Sequence, residues 1–267
     1  MTAASSDTAL SDCVTLRRPA PHVALVTIER PEARNAVNAA VAQGISRAVE
    51  VTEADVGTWV VIITGAGGKA FCAGADLKEV SAGRAMSLRT EAGGFAGFTH
   101  GLRDKPWIAA VDGFALGGGC EIALACDMIV AGENSVFGLP EAKRGLIAGA
   151  GGIYRLPRVL PRQIALELIA TGAELPAARA RDLGMVNRLA AAGHVLEQAL
   201  ELAAAVCACA PVAVAESLKV ARVAADYDDA TLKQMTVKGS ARNSQTADYQ
   251  EGPRAFIEKR LPRWSGR

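Results

Sequence analysis

Two glutamates and two glycine-rich loops carry most of the chemistry this chain could do. Glu121 stands directly after three consecutive glycines in "ALGGGCEIALACD", at the start of an apolar helical run, and Glu141 follows the turn "FGLP" further on. An acid in the first turn of a helix suits the helix dipole whether or not it has a function. A helix apolar on nearly every face must nevertheless be largely buried, and a buried carboxylate needs partners or its pKa rises. Two carboxylates facing one water could act as a general acid and a general base. The loops "GKAFCAGAD" and "GFALGGGCE" each follow a buried strand, and residues just past the carboxyl ends of neighbouring parallel strands converge on one crevice. Backbone N–H groups of such loops, and those of a helix N-terminus, lack internal partners; two aimed at one carbonyl oxygen form an oxyanion hole. Close packing of strand on helix would select the same glycines and alanines, so both readings stay open at this level.

The elements that must position these groups alternate through the first two thirds of the chain. "CVTLRRPAPHVALVTIER" reads as two strands around a proline-containing turn, and "NAVNAAVAQGISRAVEVTEAD" as a helix capped by Asn38. "WVVIIT" and "KPWIAAVDGFA" are buried strands, the second running into a helix that ends near Cys126. "MIVAG", "SVFGLPEA" and "MVNRL" are short extended pieces, whereas residues 81–101 fit no simple period. From residue 193 the pattern is helical. The class is α/β, with a core over 1–192 and a helical region over 193–267.

Two phosphate-binding motifs fail on spacing. In "TGAGGKAF" a dinucleotide fingerprint from Gly65 meets Ala70 at its last glycine and no helix begins within it. A P-loop ending at Gly68-Lys69 would need glycine at 63 and Ser or Thr at 70, where Ile63 and Ala70 stand. Composition excludes more. Lys plus Arg number 29 against 28 for Asp plus Glu, too balanced for broad electrostatic binding of nucleic acid. Three histidines and six cysteines, with no CxxC pair, offer no metal-ligand spacing. The first residues have neither a basic leader nor a long apolar run, and no stretch is long enough to span a bilayer, so a cytoplasmic protein without membrane or nucleic-acid partners is expected.

"AFCAGADLKE", "KPWIAAVDGFALGGGCEIALACD", "FGLPEAKRGLIAGAGG" and "RLPRVLP" together resemble the enoyl-CoA hydratase/isomerase (crotonase) family, with the likeness running from "IERPEARNAVN" to "EGPRAFIEKR". Within it, "GGFAGFT", "LPEAKRG" and the ending "EGPRAFIEKRLPRWSGR" resemble members that dehydrate carnitinyl-CoA, and Phe95 and Phe98 fall in the stretch that lines the acyl pocket there. The resemblance implies a spiral of ββα units with a helical C-terminal trimerisation region. It also implies an enolate intermediate stabilised by the N–H groups of Ala75 and Gly118. Glu121 would activate the water, Glu141 would handle the α-proton, and Gly149 would help to hold the water. Coenzyme A, as part of the thioester substrate and not a separate cofactor, would lie along Ala33 and along Ala73, Ala75, Asp76, Leu77 and Lys78. Phe256 and Lys259 would reach it from a neighbouring subunit of a homotrimer or dimer of trimers. The implied reaction is reversible hydration of a 2-enoyl-CoA. A Δ3,Δ2-enoyl-CoA isomerase, which would depend on Glu141 alone, and a non-catalytic acyl-CoA-binding scaffold are the alternatives.

Overall fold

The computed structural model describes residues 7–267. Its larger sheet has seven strands, in spatial order Thr8–Ser11, Val14–Ala20, Val23–Ile28, Val60–Gly65, Trp107–Val111, Met128–Gly132 and Arg188–Ala190. The first three pair antiparallel and the rest parallel. Parallel strands covered on both faces need apolar side chains at every position, which is why "VVII" and "WIAAV" show no alternation in the sequence. The alternation reappears in what each side chain touches. Val61 and Ile63 face one core with Trp107 and Ala109, while Val60 and Ile62 face a second with Ile108 and Val130.

A smaller sheet crosses over the first core: Ala70–Cys72, Phe114–Leu116 and Val136–Gly138 in parallel, with Glu174–Pro176 antiparallel at its edge. The chain passes from large sheet to small sheet and then into a helical segment three times. Val60–Gly65 leads to Ala70–Cys72 and helix Leu77–Ser81. Trp107–Val111 leads to Phe114–Leu116 and helix Gly118–Ala125, and Met128–Gly132 to Val136–Gly138 and the 3-10 turn Pro140–Arg144. These are the ββα units that the resemblance implies. The loop after Val60–Gly65 enters a strand, not a helix, so it lacks the helix N-terminus that a nucleotide loop needs.

Helix Val195–Cys207 covers the second core through Val195, Ala199 and Ala203, so the first helix past residue 193 completes the core instead of standing apart from it. The three helices that follow, Pro211–Ala221, Asp229–Asn243 and Ala247–Ile257, form the extension. The Arg222 guanidinium joins this extension to the large sheet by pairing with Asp127 at 2.7 Å and donating to the Lys105 carbonyl at 3.0 Å. No single described helix is long and apolar enough to cross a membrane.

One buried side chain ties two of the loops together. Asn35, with no solvent exposure and φ 55°, accepts from the Arg30 N–H at 3.0 Å and donates to the Ala66 and Ala70 carbonyls at 2.9 and 2.7 Å. It thereby holds "ERPEARN" against the first glycine loop. Asn35→Ala leaves the buried Ala70 carbonyl and the part-buried Arg30 N–H and Ala66 carbonyl without this partner, and urea unfolding should show a loss of about 2 kcal/mol or more. A loss under about 1 kcal/mol would mean that water replaces the side chain.

Candidate active site

Strands Ala70–Cys72 and Phe114–Leu116 run side by side, so the loops that leave them emerge together. The contact between the loops is backbone on backbone. A methyl group on Gly74 would lie 2.9 Å from the Gly118 nitrogen, and one on Gly119 would lie 1.9 Å from the Cys72 carbonyl oxygen. Close packing therefore does require glycine here. Two donors are nevertheless left over. Gly118 is the first residue of its helix, Ala75 lies between the two backbone bonds that join Val37 to Gly74 and Asp76, and neither N–H donates to any described group. The two readings left open by the sequence coexist: the glycines let the loops touch, and the touching loops present two free N–H groups at one place.

Glu141 enters from the third unit. Strand Val136–Gly138 pairs with Phe114–Leu116, the Gly117 N–H donates to the Gly138 carbonyl at 2.9 Å, and the chain then turns through Leu139 into Pro140–Arg144. That register lays the carboxylate on Gly117: a methyl group there would sit 2.9 Å from Glu141 Oε1. Gly117 itself has φ 55°, a left-handed conformation glycine adopts without strain. Glu141 Oε2 is buried with no hydrogen-bond partner among the described residues. Burial pushes the carboxyl up to about 7, and the charge of Glu121 adds to the push.

Glu121 lies one turn into helix Gly118–Ala125 and is 3% exposed. Its Oε1 accepts the Gly152 N–H at 2.9 Å. Burial raises its pKa as well, but the Gly152 and Ala150 N–H groups and the nearby Arg155 and Arg89 cations oppose that rise. The two acids thus differ in support. Glu121 has partners for its charge, whereas Glu141 has an orphaned oxygen. That difference favours an ionised Glu121 beside a neutral Glu141, the arrangement an acid–base pair needs.

The remaining residues fall into three groups. The Gly149 N–H donates to the Ile147 carbonyl at 2.7 Å within a tight turn, and the N–H that reaches Glu121 Oε1 is that of Gly152, at 2.9 Å. Ala33 and the stretch 73–78 are brought together. The Ala73 N–H donates to the Arg34 carbonyl at 3.0 Å, the Arg30–Asp76 ion pair spans 3.1 Å, and Asp76 also caps the helix that carries Leu77 and Lys78, both exposed. Phe256 is 84% exposed on helix Ala247–Ile257, Lys259 follows it with φ 53°, and neither side chain bonds to this region of its own chain.

Of the two phenylalanines expected near the acyl group, only Phe95 borders the donors: a methyl group on Gly118 would lie 2.4 Å from its ring. Phe98 is a core residue with no exposure, its ring 4.9 Å from that of Trp107 and capped by the Arg103 guanidinium at 3.8 Å. Gly152 and Arg155 carried no readable signal, because one acts through its backbone and the other across the fold.

The model of the enoyl-CoA hydratase/isomerase family matches residues 19–267. Among curated relatives, the carnitinyl-CoA dehydratase of Salmonella typhi is 39% identical over 263 residues, covering 97% of this chain and 100% of the relative. That of Proteus mirabilis is 40% identical over 248 residues, covering 91% and 94%. Among solved structures, the enoyl-CoA hydratase of Mycobacterium tuberculosis H37Rv superposes with a TM-score of 0.90 at 44% identity, covering 95% of this chain and 99% of that one. The carnitinyl-CoA hydratase of Mycobacterium avium does so with a TM-score of 0.73 at 45% identity, covering 96% and 99%. On its sequence, its ββα spiral and the glutamates set against paired glycine loops, this chain belongs to the enoyl-CoA hydratase/isomerase family.

Proposed function

We propose that this protein is a hydro-lyase that reversibly adds water to the double bond of a 2-enoyl-CoA thioester. The observation that carries this reading is the pairing of a supported carboxylate, Glu121, with an orphaned one, Glu141, beside two unsatisfied N–H groups. The thioester oxygen would accept from Ala75 and Gly118, which stabilises the negative charge that develops on it as the enolate forms. Ionised Glu121 takes a proton from water as the oxygen attacks the β-carbon, and neutral Glu141 delivers its proton to the α-carbon. The reaction so written uses no cofactor beyond the coenzyme A of the substrate.

Coenzyme A would run along Ala33, Ala73, Ala75, Asp76, Leu77 and Lys78, with the Lys78 ammonium available to its phosphates. In a homotrimer or dimer of trimers, Phe256 and Lys259 would close the same site from a neighbouring copy. The exposure of Phe256, Ile257 and Leu261 at 84%, 79% and 86% supports burial of that end against another chain. A cytoplasmic location goes with this reading.

For the acyl group, the similarity to carnitinyl-CoA dehydratases favours carnitinyl-CoA and the 2-enoyl-CoA left when it loses water, crotonobetainyl-CoA, with the Phe95 ring against Gly118. The test is a hydration assay of crotonyl-CoA and crotonobetainyl-CoA side by side, following loss of the conjugated enoyl thioester's absorbance. Turnover of either that collapses in Glu121→Gln supports the two-acid hydratase. Double-bond migration that survives Glu121→Gln, without hydration, supports an isomerase instead. The pH dependence is a second check. Hydration needs Glu121 ionised and Glu141 protonated, so kcat/KM should fall on the alkaline side around pH 7, where Glu141 loses its proton, and on the acid side above the ordinary glutamate range. A rate that keeps rising through about pH 9 would reverse the assignment of Glu141 as the acid.

A further inference from the structure

Arg155 stands at the junction of the two halves of the site, yet neither the oxyanion donors nor the acids include it. It projects from helix Gly152–Val159, whose preceding residue Gly151 has φ 118°. One guanidinium nitrogen donates to the Ala150 carbonyl at 3.0 Å and another to the Thr99 carbonyl at 2.5 Å. The guanidinium fills the space over Gly151, where a methyl group would lie 1.9 Å from it. The neighbouring residue makes the same crossing: the Tyr154 hydroxyl meets His100 Nε2 at 3.0 Å, and His100 Nδ1 meets the Thr99 hydroxyl at 3.0 Å.

Each end of this strap leads to a reacting group. Ala150–Gly152 is the turn whose N–H lies on Glu121 Oε1. Thr99 ends the stretch that lays Phe95 against Gly118, and the Thr99 N–H donates to the Phe95 carbonyl at 3.2 Å. We propose that Arg155 is a positioning residue for hydration, tying the turn that holds Glu121 to the segment that packs against the oxyanion donor, so that the attacking water and the thioester carbonyl keep one spacing. This rests on the hydratase reading. Lysine cannot replace arginine here, because a single ammonium is a point charge without the planar fork that spans two carbonyls.

The test compares the full-length wild type with Arg155→Lys and Arg155→Met. Loss of the fork lets the two halves drift, and misplacement by about 1 Å costs on the order of 100-fold in rate. Arg155→Met should therefore lower kcat for hydration about 10- to 100-fold with KM changed less than about threefold, and added guanidinium ion should restore part of the rate. The acid limb of the pH profile should move upward, because the cation that opposes the rise in the Glu121 pKa is gone. Arg155→Lys should show the same direction at smaller size, and it serves if the methionine variant does not fold. A role in stability alone would lower the melting temperature and leave the limb in place.

Titration of the glutamate 13Cδ resonances, with Glu121 assigned by Glu121→Gln, reads the same coupling without turnover. It separates failure of this proposal from failure of the hydratase reading. An unmoved Glu121 midpoint in both variants, or a kcat within about twofold of wild type, overturns the positioning role.

Discussion

Glu141→Gln should leave a protein that is more stable above neutrality and slower in hydration by two to four orders of magnitude. Glutamine has the shape of the carboxyl but cannot deliver a proton, and general acid–base catalysis contributes about 10²- to 10⁴-fold. The stability change follows from the orphaned Oε2. Burial raises the folded-state pKa from 4.5 to about 7. Between those values the folded protein holds a proton that the unfolded chain has released. The stability associated with it is therefore complete below 4.5 and is lost as pH rises through 7. At about 1.4 kcal/mol per pH unit this sets a ceiling of about 3.5 kcal/mol, which solvent screening at the partly exposed Glu141 reduces to about 1–2 kcal/mol. Glutamine is neutral throughout, so the variant does not lose this contribution. Urea unfolding at about pH 5 and pH 8 should show the wild type weakening between the two while Glu141→Gln holds level. Parallel pH dependence in the two proteins would mean that Glu141 is ionised and solvated in the folded state. The expectation pairs a gain in stability with a loss of function, the pattern of a group kept in an unfavourable environment for its chemistry.

What could be read from the sequence follows from how local each signal is. Asn38 caps helix Ala39–Ala54 by accepting from the Val41 N–H at 2.9 Å, a contact within four residues. The apolar runs at 60–65 and 107–111 announce buried strands by composition alone. The smaller sheet is different, because its strands are three residues each and owe their existence to pairing across the fold. They are too short to show a period: "AFCAG" reads as loop, "FALGG" only begins in a stretch that reads as strand, and Val136–Gly138 falls in "SVFGLPEA", which reads as extended without showing what it pairs with. The repetition of the ββα unit is likewise geometric: the three units share connectivity, with helical segments ranging from a 3-10 turn to eight residues.

Residues 81–101 resisted assignment for a related reason. They contain a 3-10 turn, a two-residue hairpin and Ala96 at φ 55°, held by contacts with other segments. At the site, residue type was legible and backbone was not. Glu121 and Glu141 are unusual enough to notice in an apolar context. A donor such as the Gly152 N–H is carried by every residue but proline, so nothing in its letter points to Glu121.

The Gly118 N–H, which we propose as an oxyanion donor, can be removed while the helix is kept. Proline is tolerated at the first position of a helix, where its missing N–H would have no helical partner, and Gly118 occupies that position. Gly117, with φ 55° and ψ −126°, is extended in the mirror-image sense open to glycine, so it avoids the helical conformation that a following proline disfavours. The obstacle is Phe95, whose ring would lie 2.4 Å from any Cβ at position 118. Both Gly118→Ala and Gly118→Pro are therefore best made in a Phe95→Ala background. The alanine pair keeps the N–H and should hydrate within about tenfold of Phe95→Ala alone. The proline pair loses the donor and fills the space before it, and kcat should fall a further 10²- to 10³-fold, the usual range for one oxyanion-hole donor. Acyl-CoA binding, measured by calorimetry, should weaken far less than kcat, because the donor acts on charge that develops only as the enolate forms. A proline pair that hydrates as fast as the alanine pair would take Gly118 out of the oxyanion hole. The three glycines would then serve only the packing of one loop on the other.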